Sequence, residues 1–231
     1  MENLPLYIYL AFGLTVLLAL VIFYKASQNS KSFLIIALAW ILVQSFVSLT
    51  GYYMLNKTAP PRFPLQVGPP LLLVMMLFFI RRGREFIKRI NIKTLTMLHI
   101  VRIPVELVLY GLAAYKVVPE LITFEGRNFD ILSGITAPVI YYFGFVKSKL
   151  SKSVILVWNL ICLALLFNVV YNAVLSAPSP FQQFAFNQPN IAIGYFPFVL
   201  LPSFIVPLVM FSHLVAIWQL LQKKYLLNNK K

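Results

Sequence analysis

The sequence predicts an all-α polytopic membrane protein of seven transmembrane helices, and three observations carry that reading. Apolar residues make up 60% of the 231 and charged residues only 11%, whereas a soluble domain carries about 25% charged residues. Seven apolar runs approach the roughly 20 residues that a helix needs to cross a hydrocarbon core. The net charge of +14 sorts to one side of those runs, as the positive-inside bias requires.

The first run, residues 4–24, follows Glu2 and precedes Lys25. A secretory signal has the opposite polarity, with a basic head and a small-residue cleavage site, so this run is expected to remain as a span with its N-terminus outside. Runs 33–55 and 63–80 follow, the latter short and carrying Gly68, Pro69 and Pro70. The cluster Arg81, Arg82, Arg84, Lys88, Arg89 and Lys93 then stops transfer. The fourth run is 94–115. The fifth, 129–146, is again short and ends at Lys147, Lys149 and Lys152. Runs 153–175 and 195–221 complete the set, and Lys223, Lys224, Lys230 and Lys231 follow them.

Charge arbitrates for the two short runs. With all seven spanning, fifteen basic residues face the cytoplasm and only Lys57, Arg62, Lys116 and Arg127 lie outside. Dropping either short run would put basic clusters on both sides. The expected location is therefore the cell membrane, multi-pass, with a cytoplasmic C-terminus. The basic face should meet anionic lipids, each Lys or Arg contributing about 1 kcal/mol near such a leaflet. Because the excess charge is topological, no nucleic-acid partner is implied. Asn56-Lys57-Thr58 is a glycosylation sequon on the outer side.

The chain also matches itself. An ungapped offset of 118 residues pairs 14–60 with 132–178 and gives 13 identities in 47 positions, among them Trp40/Trp158, Tyr53/Tyr171 and Ala59-Pro60/Ala177-Pro178. A composition this biased would give roughly 3 or 4 by chance. One domain is expected, with repeat halves at about 4–80 and 129–221 joined by a linker helix at 94–115. This 3+1+3 plan resembles parallel-repeat transporters of the SWEET class, and seven-helix opsins are a second known solution. The proline-glutamine dipeptide of the PQ-loop relatives is absent, and no Lys stands in run seven to hold retinal.

Ionisable groups at membrane depth cost about 2.5–3.5 kcal/mol each and are candidates for function. Run four holds His99, Arg102 and Glu106 on one helical face, about 8, 12 and 18 Å deep at 1.5 Å per residue. Arg102 and Glu106 are spaced to pair across one turn. His213 stands at a similar level in run seven. The trio reads either as an ion pair locking run four between the halves or as a polar cavity and proton relay with Glu106 at its centre.

Amides add to the inventory. Asn159, Asn168 and Asn172 in run six, with Gln44, Ser45, Ser48 and Thr50 in run two, read as interhelical hydrogen bonds or as the lining of a central cavity. Trp40 and Trp158 would flank such a cavity. Outside, the loop 124–130 concentrates Glu125, Arg127, Asn128 and Asp130, and the loop 181–190 alternates aromatics with amides. Pro104, Pro138, Pro202 and Pro207 each remove a helical hydrogen bond.

Phosphate loops, paired cysteines and nucleophile elbows are missing, and Cys162 stands alone. No cofactor is expected, although His99 and His213 suggest an alternative, axial ligation of a haem. The leading expectation is a protein that binds or transports a small solute, proton-linked through Glu106. A haem, redox or lipid-modifying enzyme and a non-catalytic subunit or sensor are the other two.

Overall fold

The computed structural model describes residues 4–54 and 62–222. Glu2, Lys57 with its sequon, Ala59-Pro60 and the tail lysines lie outside the described residues. Helix is the only regular structure among them.

Helix α1 (Leu6–Ala26) buries one face, Ile8, Phe12, Thr15, Ala19 and Phe23, at the three- and four-residue spacing of a helical stripe. Its other face, including Leu6, Leu10, Leu14 and Leu17, is exposed. A helix apolar all round suits lipid, not water. Gln28 and Asn29 turn the chain in the left-handed region, and Ser30 caps α2 (Lys31–Leu49) by accepting from Phe33 N–H.

Helix α3 (Pro64–Phe79) is followed after one residue by α4 (Arg81–Arg89), bent from it by 92°. The third run is thus helical to within one residue of 63–80 and is followed by a basic helix bent across its end. Gly83 permits the bend, because a Cβ there would come within 2.3 Å of the Leu77 carbonyl oxygen. The fourth run forms α5 (Ile92–Leu98) and α6 (Arg102–Ala114), joined by a 3-10 turn at His99–Val101. That tightening falls within one turn of Pro104, whose missing N–H leaves the Ile100 carbonyl without its helical donor.

Helix α7 (Ile131–Ile140) loosens into a π-helical turn, Tyr141–Val146, just past Pro138. Helix α8 (Lys152–Leu175) is capped by Ser151. Helix α9 (Val206–Leu221) is entered through another π-helical turn, Leu201–Ile205, so the seventh run becomes helical later than 195. Pro207 leaves the Ser203 carbonyl free, and the Trp40 indole N–H takes it at 2.8 Å.

Five of these segments are long and apolar enough to cross a membrane: α1, α2, α5 with α6, α8, and Leu201–Leu221. Counting the bent pair α3–α4 as one span makes six. This is the mark of a membrane protein. The Leu201–Leu221 span is the most enclosed at 67% buried, and α2 the least at 17%.

Hydrogen bonds define two ends of the bundle. At the basic end, Asn91 N–H donates to Ala26 O, and Gln219 donates to Ile87 O and Ile90 O. At the loop end, Ser48 donates to Gly194 O and Gln188 to Val118 O. The two sequence halves pack differently. Helix α8 lies along α9, whereas a cleft separates α2 from α3.

Candidate functional site

Five elements converge on one buried cluster: the 3-10 turn at His99–Val101, α6, the loop before α7, α8 and α9. His99, Arg102, Glu106, Asn128, Asp130, Asn159 and His213 are each at most 4% exposed. The loop 124–130, expected at the outer surface, is not confined to the surface of the bundle. It dips into the bundle, so Asn128 and Asp130 are buried with the charged groups of α6.

Arg102 does not pair with Glu106 as the i, i+4 spacing suggests. Its Nη1 donates to Asp130 Oδ1 at 2.5 Å and to Cys162 O at 3.4 Å. Its Nη2 meets His213 Nε2 at 3.0 Å. A guanidinium has no acceptor, so Nε2 must accept and Nδ1 must carry the proton. That proton points at Asn159 Oδ1, 2.9 Å away, and Asn159 Nδ2 donates to Ile155 O. The tautomer follows from the partners on both sides.

Glu106 is held by the loop instead. Asn128 Nδ2 donates to Glu106 Oε1 at 2.7 Å and to Ile122 O at 3.0 Å. Asn128 Oδ1 accepts from Asp130 N–H. Amide and carboxylates therefore form one run, Glu106–Asn128–Asp130–Arg102–His213–Asn159. Gly126 lets the loop fold this way, since a Cβ would come within 2.4 Å of Glu120 O.

The second oxygen, Glu106 Oε2, has no hydrogen-bond partner among the described residues, and neither do Asn190 Oδ1 and Arg102 Nε. All three side chains line a chamber of about 110 Å³ walled by apolar residues of α6, α8 and α9. A second chamber of about 150 Å³, lined by Tyr53, Arg62, Gln66 and Ser179, lies toward the loop end. The two share Phe63, Val174, Asn190 and Ile193 in their walls. Gln66 Oε1 is likewise unpartnered.

The histidines stack on each other, with ring centroids 3.9 Å apart and planes within 15°. Trp158 meets His99 in a T-shaped contact with ring centroids 5.5 Å apart and donates to Thr136. Axial haem ligands must point at one iron from opposite faces of the macrocycle. Rings stacked this closely leave no room for it, so the pair does not fit a bis-histidine haem. Among the described residues no group of three or more His, Cys, Asp or Glu could hold a metal ion.

Other sequence candidates lie elsewhere. Gln44 accepts from Tyr53 Oη at 2.8 Å near the loop end, where burial raises the Tyr53 phenol and the bond to Gln44 offsets part of that rise. Asn168 donates to Arg127 O, and Asn172 donates to Asn168, so both brace the loop. Glu125 and Arg127 are exposed. Trp40 lines the α2–α3 cleft. Sequence reasoning missed Asn190, Gln66 and Phe63; only Asn190, inside an amide-rich loop, offered a signal.

A family model described as a domain of unknown function, DUF8737, matches residues 60–221. No curated protein and no solved structure matches the chain.

Proposed function

We infer that this chain, which belongs to the DUF8737 family, binds a small solute in the chamber beside Glu106 and passes it, with a proton, across a membrane. The observation that carries this reading is Glu106 Oε2, buried and unpartnered in a chamber wall. An unmade hydrogen bond on a buried polar group costs about 1–3 kcal/mol, and more on a charged one. Such a group is best accounted for by something that visits it.

The chamber suggests the chemistry of the visitor. Among the side chains that line it, Glu106 Oε2 and Asn190 Oδ1 are unpartnered acceptors and Arg102 Nε is an unpartnered donor. The remaining walls are almost wholly apolar. A compact apolar body carrying an amine or hydroxyl fits, with on the order of half a dozen non-hydrogen atoms by comparison with cavities that take benzene. It would enter through the outer chamber, past Phe63 and Ile193.

The seven-segment plan, N-terminus outside, belongs to the same proposal. The concentration of fifteen basic residues in the segments that this plan makes cytoplasmic and loop-end contacts for 48, 66, 118 and 194 support it. In this orientation the chamber opens outward and α4 lies on the cytoplasmic surface. Leu201, Pro202 and Ile205 of the π-helical turn line the chamber, and such turns recur at functional sites.

The experiment is a thermal-shift screen of small amines, alcohols and carboxylic acids on purified protein. Donor-bearing solutes should raise Tm, the rise growing with the logarithm of free solute above its Kd, and Glu106→Gln should abolish the shift. If no solute class raises Tm, or if the hits shift Glu106→Gln equally, the proposal fails.

A further inference from the structure

We propose that the cleft between α2, α3 and α9 holds one anionic glycerophospholipid, an acyl chain in the cleft and the phosphate against the arginines of α4. The inference rests on the membrane-spanning reading but not on Glu106.

The cleft measures about 500 Å³, more than three times the roughly 150 Å³ that accommodates a benzene ring. Phe23, Phe33, Trp40, Leu73, Leu77 and Phe211 are among its walls. Trp40 and Ser203 are the wall side chains with a strong donor, and both are spent, the indole N–H on Ser203 O and the Ser203 hydroxyl on Val199 O. The cleft thus offers a hydrocarbon occupant contact but offers a polar one little to bond.

What stands at one end of the cleft selects the occupant. Phe86 lines both the cleft and an open basic pocket formed with Arg81, Arg82, Glu85 and Arg89. The 92° bend between α3 and α4 brings these arginines to the end of the apolar slot. Glu85, the one acid in that pocket, is engaged by Lys88 at 2.7 Å. None of the three arginines has an ion-pair partner among the described residues. Guanidinium groups match phosphate oxygens in two-point contacts, and a basic cluster beside a span draws anionic lipid. Apolar slot and phosphate-binding end together describe a two-part ligand.

Native mass spectrometry of the purified full chain, given phosphatidylglycerol or phosphatidylcholine in equal amounts, tests the assignment. The wild type should retain one phosphatidylglycerol in preference. The triple variant Arg81→Gln/Arg82→Gln/Arg89→Gln should lose that preference by about tenfold or more. Ala39→Trp, which adds bulk to an exposed position on the cleft wall, should lower retention of both lipids. Circular dichroism melts on each variant confirm folding. Equal retention of the two lipids by the wild type overturns the proposal, as does unchanged retention in Ala39→Trp. Displacement by chain-free glycerol phosphate at equal concentration would mean a free-phosphate site and overturns it too. Solute binding at Glu106 should survive all of these changes, so failure here leaves that reading standing.

Discussion

Arg102 bypasses Glu106, one helical turn away, and bonds Asp130, 28 residues along the chain, at 2.5 Å. This pairing ties α6 to the loop that opens α7 and leaves Glu106 to a neutral amide. The cluster therefore separates into a matched ion pair and a carboxyl with one oxygen unpartnered, on a side chain that lines a chamber.

Removing one partner of the ion pair strands the other in the interior. Asp130→Leu should destabilise the protein by about 3–5 kcal/mol, read from denaturant or thermal unfolding in detergent. Adding Arg102→Met should recover part of that loss. A double variant as unstable as the sum of the singles would contradict the pairing.

The helical pattern of this fold was legible in the sequence, because hydrophobic runs and basic stops report local physics. Where helices bend was partly legible: Pro104, Pro138 and Pro207 mark a 3-10 turn, a π-helical turn and a freed carbonyl. Pairing of charges was not. The i, i+4 spacing of Arg102 and Glu106 is a local cue, worth about 0.2–0.5 kcal/mol on an isolated helix. A buried guanidinium is governed by which carboxylate the fold delivers, and Asp130 arrives on a loop whose descent depends on the close packing of Gly126. Asn190 and Gln66 reach their chambers through tertiary contacts that leave no periodic trace.

His213 should carry its proton on Nδ1, since Nε2 accepts from Arg102. Nitrogen NMR of histidine-labelled protein reads the tautomer directly. Titration with haemin should give no bis-histidine low-spin spectrum; a sharp Soret shift lost in His213→Ala would overturn the stacked geometry.

Loop seating should depend on Gly126. Gly126→Ala places a methyl within 2.4 Å of backbone, and an overpacking cost of about 1–3 kcal/mol is expected, together with weaker solute binding through displacement of Asn128. Gly13→Ala, where nothing lies within 4 Å, should be neutral or stabilising by up to about 1 kcal/mol. Paired thermal melts separate the two.

Trp40→Phe removes the donor from the Ser203 carbonyl that Pro207 exposes. A loss of about 1–3 kcal/mol is expected. Adding Pro207→Ala restores a backbone donor to that carbonyl and should reduce the cost of losing the indole. Equal costs with and without Pro207 would show that the indole contributes by packing alone.

Access to the inner chamber is the point on which the proposed function turns. Glu106→Cys, made with Cys162→Ser to remove the native thiol, puts a reactive group at the chamber wall. Methyl methanethiosulfonate added to folded protein should modify it, and Phe63→Trp at the boundary between the two chambers should slow the reaction. A cysteine at that position as unreactive in the folded state as buried Cys162, yet labelled once the protein is denatured, would show that nothing reaches the carboxyl.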